Sequence, residues 1–148
     1  MVSLGNLFSG EYFHSIDSKG RVIVPVKLRE ALGDSFVVTA GLDGCLYMYS
    51  NEEWNAFADK LKTLPESKKE TRQIQRYFFA RAVTCELDKQ GRILIPAKLR
   101  DHAKLVKEVA FIGLLSKVEI WDKETWDNLD KDNEADIADK IDEFELTF

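Results

Sequence analysis

The side chains best placed to do chemistry in this chain are two arginines, Arg21 and Arg92, each standing four residues after an aspartate. They close the segments Asp17-Ser18-Lys19-Gly20-Arg21 and Asp88-Lys89-Gln90-Gly91-Arg92. A carboxylate at this spacing can accept backbone N–H bonds across a tight turn. It can also hold a guanidinium in one orientation through a bidentate pair. Gly20 and Gly91 supply the positive φ that the tip of such a hairpin requires. Lys19 and Lys89 add positive charge beside each arginine. A guanidinium held in this way binds phosphate, or reads guanine O6 and N7 in the major groove, which a β-ribbon can enter. One Asp-x-x-x-Arg pair alone is ordinarily a surface ion pair of little consequence. Two copies in the same context favour a nucleic-acid site made of Asp17, Lys19, Gly20, Arg21, Asp88, Lys89, Gly91 and Arg92. Lys27, Arg29, Lys98 and Arg100 follow on short helices, where a solvated helix face is as good a reading as a contact.

The elements that must position these arginines are themselves duplicated. Asp17 to Glu30 reappears as Asp88 to Asp101, with seven of the 14 positions identical. Further matches pair Gly41 with Gly113, Tyr49 with Trp121 and Trp54 with Trp126, which implies one inserted residue between the short helix and the next strand of the second copy. In each copy a buried strand (Arg21–Val24, Arg92–Ile95) ends at Pro25 or Pro96, residues suited to the start of a helix. Short helices follow over 26–32 and 97–105, with Gly33 fitting the end of the first. Strands at 36–39 and 109–112 then turn back through 46–49 and 118–121. The unit is β, short α, β-hairpin, too small to stand alone, and the class is α+β.

Helical pairs lie outside these units. Ser50-x-x-Glu53 predicts a capping box for a helix carrying Trp54, Phe57, Leu61 and Leu64 on one face, broken at Leu64-Pro65. Ser67-x-x-Glu70 predicts the start of a second helix carrying Ile74, Tyr77, Phe78 and Arg81. A further helix begins near Asp122 with Trp126 and Leu129, and an acidic tail helix follows with Ile137, Ile141 and Phe144 at helical spacing, a stripe expected to pack against the body.

Composition narrows the function classes. The chain has 148 residues, 45% of them hydrophobic, which is ample for a core and too apolar for extended disorder. No run reaches the roughly 20 apolar residues of a membrane span, and the first residues carry no secretory pattern. Cys45 and Cys85 make no disulfide framework, and neither they nor His14 and His102 show metal-ligand spacing. No phosphate loop, nucleophile elbow or zincin motif occurs, so neither an enzyme nor a cofactor or small-molecule substrate is expected. The net charge of -5 conceals an asymmetry: from Glu119 onward there are 12 acids and 3 lysines, leaving the remainder basic. Phosphate attraction is local and screened over about 8–10 Å, so an acidic chain can still hold a nucleic-acid surface.

Taken together, the paired Asp-x-x-x-Arg units, the Pro-x-Lys-Leu-Arg helices, the stretch Cys85 to Arg92 and Glu119-Ile120-Trp121 resemble the MraZ family of bacterial transcriptional regulators, built from duplicated AbrB-like units. The resemblance covers roughly Phe8 to Leu129. It implies a pseudo-dimeric, swapped-hairpin β-barrel formed within one chain, from residues 8–80 and 81–148, with 1–7 as an extension. It implies sequence-specific binding of double-stranded DNA through Asp17 and Arg21 and again Asp88 and Arg92. It also implies a ring-shaped homo-oligomer on direct repeats in the promoter of the division and cell-wall gene cluster, including the regulator's own gene. A cytoplasmic, nucleoid-associated protein is expected. The alternative is a protein-interaction module, such as an AbrB-like antitoxin or an adaptor using the acidic tail.

Overall fold

A computed structural model describes residues 7–148, so most of the extension at 1–7 lies outside the described residues. In chain order the elements are β1 (Phe8–Ser15), β2 (Arg21–Ile23), α1 (Val26–Leu32), β3 (Ser35–Ala40), β4 (Leu46–Ser50), α2 (Asn51–Lys62), α3 (Lys69–Phe79), β5 (Val83–Glu86), β6 (Arg92–Leu94), α4 (Ala97–Ala103), β7 (Glu108–Leu115), β8 (Val118–Asp122) and α5 (Lys123–Glu143). The fold is α+β. Six strands form one antiparallel sheet in the order β1-β7-β8-β4-β3-β5, and β2 pairs with β6 in a separate ribbon.

The two copies exchange strands. β1 of the first copy pairs with β7 of the second, and β5 of the second pairs with β3 of the first. The β4–β8 contact at the centre joins equivalent strands of the two copies. Neither copy completes a sheet alone, because each supplies the edge strand of the other. The sheet ends at β1 and β5, and no pairing joins these two edges among the described residues. Strand pairing among the described residues thus gives an open six-stranded sheet and a ribbon rather than a closed barrel. The ribbon instead lies over one face of the sheet, tied to it at single points such as the Ile16–Val22 bridge.

Alternation along the strands explains how both faces are buried. Leu46 and Met48 of β4 face a core shared with Val22, Val24, Ile93 and Ile95 of the ribbon strands and their exits, and with Leu28, Leu32 and Leu99 of α1 and α4. Tyr47 and Tyr49 face the other way, onto Leu61 of α2 and Phe78 of α3, with Trp54, Phe57, Trp126 and Leu129 at the margin. A two-sided sheet of this kind reads as nearly continuous apolar runs. The ribbon and the first part of α5 consequently sit on opposite faces of the sheet.

Three details differ from the sequence reading. The second copy has two extra residues between helix and strand: Gly33 alone separates Leu32 from Asp34, whereas Lys104, Leu105 and Val106 separate Ala103 from Lys107. Equivalence is fixed by the bonds that Ile16 N–H makes to Lys107 and Leu87 N–H makes to Asp34. The following turn is one residue shorter, since Gly41 bonds Cys45 while Leu114 bonds Lys117, so Gly113 is not the counterpart of Gly41. Ser67 does not cap α3, which starts after Lys68 without a side-chain cap. Arg72 reaches back instead to the carbonyls of Glu66 and Ser67, satisfying the turn that Pro65 opens. By contrast Ser50 does cap α2, accepting from Glu53 N–H at 3.2 Å.

The tail expectation also changes. Asp122 caps one continuous 21-residue helix, α5, none of whose residues is buried. Ile137 is 49% exposed and Phe144 is 83% exposed, so this stripe is not covered by the body of the chain.

Candidate nucleic-acid interface

Each Asp-to-Arg segment folds as a tight turn whose geometry the aspartate enforces. The Gly20 N–H bonds the Asp17 carbonyl at 3.0 Å, and the Asp17 N–H closes the loop on the Arg21 carbonyl at 2.9 Å. Within it Asp17 Oδ1 accepts the N–H groups of Lys19 (3.0 Å) and Arg21 (2.8 Å), while Oδ2 accepts Arg21 Nε–H at 2.8 Å. The second copy repeats the pattern: Asp88 Oδ1 accepts from Gln90 (2.8 Å) and Arg92 (2.9 Å), and Oδ2 from Arg92 Nε at 2.9 Å. The anticipated bidentate fork is absent, because one carboxylate oxygen is committed to the backbone. Among the described residues, the terminal Nη groups of Arg21 and Arg92 donate to no protein acceptor. Nε thus sets the orientation and the outer edge of each guanidinium stays available for a ligand.

The carboxylates are held ionised by the same bonds. The Arg21 backbone N–H, aided by its guanidinium and the Lys19 N–H, keeps the Asp17 carboxyl below the usual aspartate value, outweighing a desolvation that acts the other way. Asp88 is lowered alike, chiefly by the Arg92 backbone N–H. Both arginines stay partly exposed, with side-chain accessibilities of 38% for Arg21 and 28% for Arg92.

Pairing then merges the two loops into one surface. In the ribbon Arg21 lies opposite Leu94, and Ile23 opposite Arg92. Cross-strand partners, and residues two apart on one strand, share a face. Arg21, Ile23, Arg92 and Leu94 therefore point outward together, while Val22 and Ile93 turn into the core at 1% exposure. The arginines occupy one diagonal of this patch, with Cα atoms roughly 7–8 Å apart.

Two more arginines join from the helices, where spacing alone leaves a solvated face an equal reading. Arg29 of α1 anchors its Nε to the Val24 carbonyl at 2.8 Å, and Arg100 of α4 anchors its Nε to Ile95 at 2.9 Å. Their guanidiniums cross to the opposite copy: Arg100 lies against Gly20, and Arg29 against Gly91. A Cβ at either glycine would overlap the visiting guanidinium, and both glycines have positive φ, +88° and +76°. The loops are further stitched across by Ile95 N–H to Gly20 O and Val24 N–H to Gly91 O, each 2.9 Å. Identity of Arg29 and Arg100 between the copies was the available signal; the crossing was not visible before the strands were paired. Lys19, Lys89 and Gln90 are exposed at the loop tips, and Lys27 and Lys98 are exposed on the helices. The ribbon face thus carries the guanidiniums of Arg21 and Arg92, those of Arg29 and Arg100 pack against its two loops, and the acidic helix α5 is rooted on the far side of the sheet.

The duplication is matched by known sequences. The profile described as "MraZ protein, putative antitoxin-like" fits twice, over residues 7–77 and 78–146. The chain belongs to the MraZ family. Relatives named transcriptional regulator MraZ include that of Lachnoclostridium phytofermentans, 59% identical over 96% of this chain and 100% of its own length. That of Caldanaerobacter subterraneus is 53% identical over 95% and 100%, and that of Ligilactobacillus salivarius is 50% identical over the same shares. The boundary between the two MraZ matches falls inside α3, between Tyr77 and Phe78. Each MraZ match thus contains one arginine loop, and the exchange of strands brings the two loops onto one ribbon.

Proposed function

We propose that this protein is a sequence-specific regulator of transcription that binds double-stranded DNA through the β2–β6 ribbon. The observation carrying this reading is that Arg21 and Arg92, from separate copies, share one outward face with their Nη groups unengaged among the described residues. Neighbouring strands are about 4.8 Å apart, so a two-stranded ribbon fits a major groove about 12 Å wide. In that groove Arg21 and Arg92 read guanine edges, while Lys19, Lys89, Arg29 and Arg100 meet phosphates. Asp17 and Asp88 act as positioning residues for the arginines, and Gly20 and Gly91 let the crossing guanidiniums approach. The shared name of the relatives, transcriptional regulator, supports the same assignment.

The target is the promoter of the division and cell-wall gene cluster, including the protein's own gene. Protomers assemble into a ring on direct repeats, and their modest individual contacts add through effective concentration. The interlocked halves, residues 8–80 and 81–148, serve as the single-chain counterpart of a swapped AbrB-like barrel. The protein works in the cytoplasm at the nucleoid, without catalysis or cofactor. Mobility shifts on the DNA upstream of the gene test this. Arg21→Ala with Arg92→Ala should abolish the shift while circular dichroism and particle mass stay unchanged; full binding by that double variant refutes the proposal.

A second reading, an interaction module such as an AbrB-like antitoxin or an adaptor, is favoured by the uncovered apolar stripe of α5. A chain ending at Leu129 separates the two: a captured protein lost with DNA binding intact would add an adaptor role.

A further inference from the structure

The outward face of the ribbon is not purely basic. Its two remaining corners are aliphatic: Ile23 is 37% exposed and Leu94 is 57% exposed. Their strands already contribute Val22 and Ile93 to the core from the opposite face, so burial does not require apolar residues here. A ribbon facing only water would place polar residues at such positions. Both copies nonetheless place an aliphatic residue at the same step of the repeat, two residues after the arginine. The pairing sets Ile23 beside Arg92 and Leu94 beside Arg21.

We propose that Ile23 and Leu94 form an apolar contact for the C5-methyl group of pyrimidines, thymine first among them, on the major-groove edge of bound DNA. This rests on the DNA-binding reading and adds a specificity element to it. The major groove offers one apolar feature, the thymine methyl, which small or aliphatic side chains recognise. The arginines frame the aliphatic pair, and the helix arginines Arg29 and Arg100 pack against the adjoining loops, so the surface is complementary to a polyanion. Diagonal corners roughly 7–8 Å apart span about two base-pair steps of 3.4 Å. A guanine held by Arg21 or Arg92 thereby leaves an aliphatic corner over a neighbouring pair. 5-Methylcytosine presents the same methyl and is the other source of this chemistry.

The test uses the full-length protein and duplexes it selects from a random-sequence library. Each thymine is replaced in turn by deoxyuridine, which removes only the methyl, and each cytosine by 5-methylcytosine. Burying one such group is worth about threefold to fivefold in affinity. At one or two thymines the wild type should lose that factor with deoxyuridine, and Ile23→Ser or Leu94→Ser should bind both duplexes alike. A gain at 5-methylcytosine, also lost in the variants, would extend the site to methylated DNA; no gain would confine it to thymine. Tight binding by the wild type with no deoxyuridine effect anywhere overturns this inference and leaves DNA recognition standing. An undiminished deoxyuridine effect in both variants overturns it too, as does a change in particle mass with that effect intact, which would make the patch a contact between copies of the chain. Failure to select any duplex would defeat the DNA-binding reading itself. The wild-type arm needs no variant to fold.

Discussion

Gly20→Ala perturbs the fold and the interface at one atom, and its cost can be built from the structure. Gly20 sits at φ +88°, where an L-residue loses about 1–2 kcal/mol. A Cβ there would also meet the Arg100 guanidinium and the Ile95 carbonyl inside contact distance. Ile95 is backbone and cannot swing aside, so the strand must shift, straining the Ile95 N–H to Gly20 O bond. Such a bond contributes about 0.5–1.5 kcal/mol net. The total is about 1.5–3.5 kcal/mol. Gly44 provides the control: its φ is +90°, but nothing lies within 4 Å of its would-be Cβ. Gly44→Ala should therefore cost only the conformational part, about 1–2 kcal/mol. For a chain of this size each kcal/mol moves Tm by about 2–4 °C. Gly91→Ala falls between them in stability, because the atoms nearest its would-be Cβ all belong to the flexible guanidinium of Arg29. Thermal unfolding and DNA anisotropy on the three variants decide the matter. Gly20→Ala and Gly91→Ala should both weaken DNA binding, and Gly44→Ala should not. Equal destabilisation by Gly20→Ala and Gly44→Ala, with wild-type affinity in all three, would refute the reasoning.

Ile93→Ala should cost about 2–5 kcal/mol, since Ile93 is buried beneath the ribbon; urea unfolding measures it. The pH dependence follows from the two aspartates. Their folded pKa values lie below the ordinary 3.8, so their stabilisation is complete above that value and disappears as pH falls through the folded values. Carboxylate titration should therefore leave loop order unchanged from pH 8 to pH 5 and erode it only below about pH 4, an acid limb that Asp17→Asn with Asp88→Asn should remove in NMR titrations. Ending the chain at Leu129 should change stability by no more than about 0.5 kcal/mol, because no residue of α5 is buried. The same truncation removes an acidic surplus and should strengthen DNA binding at low salt more than at high salt.

How much of this was legible in the sequence depended on whether local or long-range contacts decide. The turn at Asp17–Arg21 is local: the carboxylate, the glycine and the arginine lie within one loop, and the carboxylate's bonds to backbone N–H groups and its pairing with the arginine follow from spacing. The caps at Ser50 and Asp122 are equally local. Ser67 failed because the helix starts one residue later than the capping pattern implies: Lys68 occupies the N-cap position, which leaves the Ser67 hydroxyl one residue too early. The bidentate fork failed because the backbone N–H groups of Lys19 and Arg21 claim the first oxygen of Asp17. The match of Gly41 with Gly113 rests on glycine identity alone, whereas strand register, set by the Val38–Met48 and Phe111–Ile120 pairs, makes Leu114 the counterpart of Gly41. The crossing of Arg29 to Gly91 was out of reach, as it depends on β2 pairing with β6 rather than within its own copy. The stripe of α5 has helical spacing, but spacing says which residues share a face and not what covers them.

The central claim is that the two arginines read DNA together from one ribbon. A 7-deazaguanine scan of a selected duplex, measured with wild type, Arg21→Ala and Arg92→Ala, tests it most directly by removing N7 one guanine at a time. The guanine whose effect vanishes in Arg21→Ala and the one whose effect vanishes in Arg92→Ala should lie within about two or three base pairs, matching the roughly 7–8 Å diagonal. Two such guanines a helical turn or more apart, or a scan unchanged by either substitution, would contradict the account.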